Sequence, residues 1–150
     1  MMLLNATIGA AGTFTGPLFQ FRTGPVSHIP LMLCAQKVFT YGAGGTSVDT
    51  FLQTSLDGGN NWCDVVHWAQ NLLATDAHPF FATVSSLTTL ASPSAPVAAS
   101  DAASTVNTTV LGLFGLWWRA KYIVVGTYTG LSSLRVDVAA PGLVPAGQGA

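Results

Sequence analysis

Glutamate is absent from this chain of 150 residues, and charged residues of any kind are scarce. Asp, Lys and Arg together make up 7% of the sequence, against about 25% in an ordinary soluble domain. The net charge of −1 disfavours steered binding to nucleic acid or to an anionic membrane. A charge-poor surface favours association, so the composition predicts a subunit of an assembly. The alternative is a Thr-rich secreted domain, because 28 residues are Ser or Thr.

Long apolar runs are also missing. A membrane-spanning helix needs about 20 consecutive apolar residues. The best candidate, residues 106–118, is shorter and contains two Gly and three polar residues. Residues 1–21 carry no acidic side chain and no basic one before Arg22, so the basic start of a secretory signal peptide is lacking. The sequence therefore predicts neither a membrane span nor a signal peptide.

Cysteine is limited to Cys34 and Cys63, and no Cys-x-x-Cys pair occurs. A disulfide framework normally has four or more cysteines, so two buried thiols without a bridge are expected, in a reducing compartment. A single Cys34–Cys63 bridge is the alternative. His67 is the one nearby candidate for a further metal ligand, and we therefore predict no metal site.

Apolar residues alternate with a period of two, which is typical of β-strands. Strands are predicted at residues 18–22, 31–41, 47–55, 62–69, 80–84, 117–125 and 134–138. In the fourth segment the alternation places Asp64 on one side and His67 on the other. The Gly126–Gly130 turn predicts a hairpin between the last two strands. Seven short strands without helical periodicity predict an all-β fold, an antiparallel β-sandwich of jelly-roll-like arrangement.

The chain is long enough for one domain. We expect the sandwich over residues 18–140, an N-terminal arm at residues 1–17 and a C-terminal tail at residues 141–150. Residues 90–105 form an Ala/Ser/Pro-rich loop within the domain, because Pro93 and Pro96 interrupt a run of small side chains. These charge-poor segments are expected to become ordered on assembly.

The most specific motif is SLDGGNNW at residues 55–62, between the two best alternating strands. The glycines supply positive φ for a hairpin loop, and the aspartate accepts hydrogen bonds from loop amides. The pattern resembles the Asp-box hairpin of sialidases and other β-proteins, although Asn61 stands where that motif usually has Thr. In those proteins the motif does no chemistry, so the resemblance implies a structural hairpin. Its residues here are Ser55, Asp57, Gly58, Gly59 and Trp62.

A longer stretch, DTFLQTSLDGGNNWCDVVHW at residues 49–68, is similar to a group of small virion proteins of tailed bacteriophages. Those proteins carry LQTSLDGG..W.D followed by a Ser/Pro/Ala-rich segment. They close with a strand pair similar to LWWRAKYIVVGTYTG and LRVDV, at residues 116–130 and 134–138 here. The likeness covers residues 47–139. It implies a structural protein of the phage particle, assembled in the host cytoplasm, in a decoration, neck or tail position.

Residue types that carry catalysis are few. The chain has no Gly-x-Ser-x-Gly elbow, and a glycosidase-type carboxylate pair has to come from six Asp. Asp49 and Asp64 lie on paired strands. Two aspartates in such a position are expected to be a solvated pair or a cation site more often than a catalytic pair. Asp137 is expected to face Arg135 or Lys121. We predict no enzyme, no catalytic residue and no cofactor.

The sequence thus predicts a binding function. We expect a decoration or cement protein that stabilises the phage head by binding the major capsid protein or another virion protein, as a homo-oligomer. The alternatives are a neck, head–tail or tail component, and a carbohydrate-binding module that uses tryptophans as platforms. No direct nucleic-acid or membrane partner is expected. The interface candidates are Trp68, Trp117, Trp118 and Tyr128.

Overall fold

The structure is a computed structural model that describes residues 1–20, 32–72, 78–85 and 100–139. These ranges contain twelve β-strands and no helix, which confirms the all-β prediction. Accordingly, the described ranges hold no helix long and apolar enough to cross a membrane. The strands are β1 (Met2–Thr7), β2 (Gly12–Thr15), β3 (Phe19–Gln20), β4 (Met32–Thr40), β5 (Ala43–Gly44), β6 (Ser47–Ser55), β7 (Cys63–His67), β8 (Phe80–Ser85), β9 (Thr108–Thr109), β10 (Trp117–Val125), β11 (Tyr128–Thr129) and β12 (Ser133–Ala139).

The strands build two main antiparallel sheets. The four-stranded sheet has the order β1–β12–β4–β8, and the six-stranded sheet has the order β2–β10–β6–β7–β9, with β3 also pairing with β10. Buried side chains from both sheets form one hydrophobic core. The sheets therefore pack face to face as a β-sandwich. The finer, jelly-roll-like arrangement stays a prediction.

A long two-stranded ribbon runs through both sheets. β4 pairs with β12 in one sheet, β6 pairs with β10 in the other, and β5 pairs with β11 at the corner between them. Gly45 at this corner has φ +68°, and a Cβ there would lie 2.1 Å from the Tyr128 ring, so glycine is required. The predicted hairpin between β10 and β12 is wrong, because the two strands belong to different sheets.

The segment predicted as an N-terminal arm, residues 1–17, is instead part of the sandwich. β1 pairs with β12 at the edge of the four-stranded sheet, and β2 pairs with β10 at the edge of the six-stranded sheet. Leu3, Leu4 and Ile8 are buried in the core. The register shifts between Met2 and Leu4, and an irregularity of this kind hides the period of two that would have revealed β1.

The other two predicted segments are described in part or not at all. The tail at residues 141–150 lies outside the described residues, as does most of the loop at residues 90–105. The described end of that loop, residues 100–105, packs on the six-stranded sheet through Asp64 and does not extend away from the domain. The strands predicted at 47–55 and 117–125 are found with those bounds.

Candidate functional site

The loop between β6 and β7 is organised around the Asp57 carboxylate. Oδ1 accepts hydrogen bonds from the backbone N of Asn61 at 2.9 Å and from Ser55 Oγ at 2.7 Å, and Oδ2 accepts one from Asn61 Nδ2 at 2.6 Å. These bonds favour the ionised form and lower the pKa of Asp57 to about 2. Gly58 and Gly59 take φ +76° and +93°. The carboxylate is therefore occupied in holding the turn.

Trp62 packs against this hairpin loop. Its Nε1 donates to Gly59 O at 2.8 Å, and the guanidinium of Arg119 lies 4.0 Å from the centre of its ring. The five predicted hairpin residues thus meet in one loop. Asn61, where the Asp-box pattern usually has Thr, contributes a side-chain amide to Asp57. The arrangement is structural, and the indole is covered on one face by a cation.

Residues 100–105 lie across the outer face of the six-stranded sheet, and we call this segment the strap. It is attached to the Asp64 carboxylate, which is 1% exposed. The strap donors to Asp64 are Ser100 Oγ at 2.7 Å and the backbone nitrogens of Ala102, Ala103 and Ser104 at 3.0 Å each. Burial raises the pKa of Asp64, but these bonds and one from Gln53 outweigh it, so the pKa is lowered.

A second carboxylate fixes the strap from its own side. Asp101 Oδ1 accepts hydrogen bonds from Lys121 Nζ at 2.7 Å, Gln53 Nε2 at 2.9 Å and Arg119 Nη2 at 3.0 Å. Burial works against the ionised form of Asp101, but its pKa is lowered by the Lys121 and Gln53 bonds and by the two positive charges. The charges on this face therefore neutralise one another within the chain.

A β-bulge in β7 brings Asp64 and His67 to the same outer face. His67 lies opposite Phe51 and Asp64 lies opposite Gln53, with a register shift between them. The prediction that Asp64 and His67 point to opposite sides is wrong, because the bulge adds one residue to the alternation. Sequence periodicity alone did not reveal this bulge.

His67 ties the far end of the strap to β6. Its Nδ1 lies 2.8 Å from Ser104 O and its Nε2 lies 3.4 Å from Asp49 Oδ1. Because a carbonyl oxygen only accepts hydrogen bonds, Nδ1 carries a proton in this arrangement. Asp49 also accepts a hydrogen bond from Gln70 Nε2 at 2.8 Å, so its partners are different from those of Asp64. Asp49 and Asp64 do not form a carboxylate pair.

The two cysteines are thiols that no disulfide joins. Cys34 is exposed on the four-stranded sheet, against the expectation of burial, because it points outward from β4. Cys63 is partly buried, and burial raises the pKa of its thiol. Across the described ranges, no three His, Cys or Asp side chains are grouped so as to hold a metal ion.

The burial of three of the four aromatic interface candidates contradicts the prediction that they lie at an interface. Trp68, Trp118 and Tyr128 are at most 4% exposed and belong to the core of this chain itself, so another subunit or a sugar cannot reach them. Alternation along β10 sends Trp118 inward and leaves Trp117 partly exposed on the outer face. Tyr128 packs edge-on against Phe39 at the corner, with 5.9 Å between ring centres.

The outer face of the four-stranded sheet is different, and we call it the open face. A row of directly opposed residues crosses it, made of Met2, Asp137, Gln36 and Phe81. Phe81 is 73% exposed and Met2 is 55% exposed. Asp137 is paired at 2.7 Å with Arg135, one of its two predicted partners, but within β12 and not across the predicted strand pair. Sequence reasoning missed this surface, although adjacent Phe80 and Phe81 on a strand must point to opposite faces.

No family model, no curated protein and no solved structure matches this chain. The two outer faces of the sandwich are the closed face, under the strap, and the open face, around Phe81. On the closed face the Asp64 and Asp101 carboxylates have partners within the chain, whereas the buried Ser104 Oγ has none among the described residues. The open face presents apolar side chains to the surroundings.

Proposed function

We propose that the protein is a structural virion protein of a tailed bacteriophage and that it binds the capsid as a decoration or cement protein. The observation that carries the binding role is the open face, where Phe81 is 73% exposed beside few charges. Burying such a surface removes apolar area from water and desolvates few charged groups, so it favours association. The assignment to phage comes from the resemblance of residues 47–139 to virion proteins.

The fold suits a cement role mechanically. The ribbon of β4–β6 with β10–β12 runs through both sheets, so the domain resists bending as one body. Many copies of a rigid domain that bind the assembled capsid, but not its separate subunits, stabilise the assembled state by mass action. The partner is the major capsid protein, and copies are arranged by the symmetry of the shell. The function is binding, without a catalytic step.

The carbohydrate-binding alternative is less well supported. A sugar platform needs an exposed ring, whereas Trp62, Trp68 and Trp118 are at most 7% exposed and Trp62 is covered by Arg119. Trp117 is the partly exposed tryptophan on the outer face. A neck or tail position would place the same open face in a ring around the particle axis.

Cryo-electron microscopy of the purified phage particle tests the proposal. We expect sandwich-shaped density at repeated positions of the capsid lattice, with the open face against the major capsid protein. A ring at the unique vertex would instead make the protein a neck or tail component. Absence of the chain from purified particles, checked by mass spectrometry, would refute the virion assignment.

A further inference from the structure

Two polar side chains meet in the interior of the sandwich, where each is 0% exposed. Lys37 points inward from β4, and its Nζ donates to Asn71 Oδ1 at 2.7 Å and to Ala69 O at 2.5 Å. The backbone of Asn71 is itself fixed to β6 by two hydrogen bonds with Val48, of 2.8 and 3.0 Å. The contact therefore connects the four-stranded sheet to the six-stranded sheet.

We propose that Lys37 and Asn71 become joined by an intramolecular isopeptide bond. Nζ contacts Oδ1, and a C=O bond is about 1.2 Å long, so Nζ lies no more than about 3.9 Å from the Asn71 Cγ. Reacting atoms in a near-attack arrangement are about 3 to 3.5 Å apart, so a small movement brings Nζ onto Cγ. The fixed backbones on either side hold both groups in place.

The reaction balances without a further reagent. The lone pair of the neutral Lys37 amine forms a bond to Cγ, and the bond from Cγ to Nδ2 of Asn71 breaks. One proton passes from Nζ to Nδ2, which leaves as ammonia. Nothing is oxidised or reduced, and the product is a secondary amide between the two side chains. The step starts from the neutral amine, which is the nucleophilic form of a lysine side chain.

The surroundings offer hydrogen-bond donors in a dry site. Thr50 Oγ1 and Trp68 Nε1 are buried, and neither has a hydrogen-bond partner among the described residues. Thr50 is two residues from Val48 along β6, and Trp68 directly precedes Ala69 in the sequence. Buried donors are seldom left unpaired in native proteins. A donor here would stabilise the negative charge that develops on Oδ1 during attack.

The bond would cross-link the two sheets of a domain whose cysteines form no bridge. It would close a covalent loop from residue 37 to residue 71 and restrict the unfolded chain as a disulfide does. Unlike a disulfide, it would persist under reducing conditions. The inference rests on the core contact and is independent of the proposed virion role.

The intact mass of the full chain under denaturing conditions tests the bond. We expect the protein to be lighter than its sequence mass by one ammonia, and the Lys37→Arg and Asn71→Ala variants to have their full masses. A full sequence mass for the unaltered protein would overturn the proposal. A succinimide at another Asn also loses ammonia, but the loss would then persist in Lys37→Arg, and that result would overturn the proposal as well.

Trypsin digestion of the unfolded protein gives a second readout. An acylated Lys37 is not cleaved, so we expect residues 23–119 to remain one peptide, with the linkage located between Lys37 and Asn71 by fragmentation. Lys121, which has its amine in an exposed ion pair, serves as the control and is cleaved in the same sample. Complete cleavage after Lys37 would overturn the proposal. Both readouts use unfolded protein, so a poorly folding variant does not affect them.

Discussion

The two outer faces of the sandwich use charge in opposite ways. On the six-stranded sheet, Asp64 and Asp101 bind the strap to Gln53, Arg119 and Lys121, so these charged groups are paired within the chain. On the four-stranded sheet, a single described ion pair accompanies exposed apolar side chains. Only 7% of the residues are charged, and the charged side chains described above mainly stabilise the fold through contacts within the chain. The face without a strap is the one that we propose binds a partner.

Removing the Asp64 carboxylate should destabilise the closed face more than any other substitution. We expect Asp64→Ala to lower the free energy of unfolding by about 3 kcal/mol, because several N–H donors of the strap lose their buried acceptor. Urea unfolding followed by tryptophan fluorescence measures this change. The matched control is Asp137→Ala on the open face, for which we expect about 0.5 kcal/mol. Equal losses for the two variants would contradict the comparison.

Acid should loosen the strap and the hairpin loop only when the pH falls below 3.8, the ordinary pKa of an aspartate. The pKa values of Asp64 and Asp101 are lowered from 3.8 against an opposing effect of burial, whereas hydrogen bonds lower the pKa of Asp57 to about 2. A lowered pKa in the folded state stabilises the fold above the unfolded value, and the stabilisation is lost as the pH falls through the folded value. Amide chemical shifts of Ala103 and Asn61 report the two regions. Loosening of either region while the pH is still above 3.8 would contradict the lowered pKa values.

Phe81 on the open face should contribute to the binding affinity but hardly to the stability of the fold. We expect Phe81→Ser to weaken binding to phage particles that lack the protein by about tenfold, because aromatic area is no longer buried. The free energy of unfolding should hardly change, since the ring is 73% exposed. Leu131→Ser is the control, because Leu131 is 86% exposed at the corner, away from this face. Equal weakening by both variants would show that the open face is not the binding surface.

Local signals in the sequence predicted part of this structure. The strands β6 and β10 and the loop around Asp57 follow from alternation and turn residues within a few positions. The open face and the strap depend on contacts that no short window contains: β12 lies beside β4, about 100 residues earlier, and Asp64 binds residues about 40 positions later. Bulges in β7 and near Met2 also break the period on which strand faces were predicted. Long-range pairing therefore defined both faces.

The smallest effect should come from the exposed part of the closed face. Lys121 donates to Asp101, whose side chain is 52% exposed, and Arg119 still pairs with Asp101 when Lys121 is replaced. We expect Lys121→Gln to lower the free energy of unfolding by about 0.5 kcal/mol at low salt. In about 1 M NaCl, where charges are screened beyond about 3 Å, this loss should shrink. The Asp64→Ala loss should remain, because the Asp64 side chain is 1% exposed. A salt-independent loss for Lys121→Gln would mean that the lysine stabilises the strap through packing and not through charge.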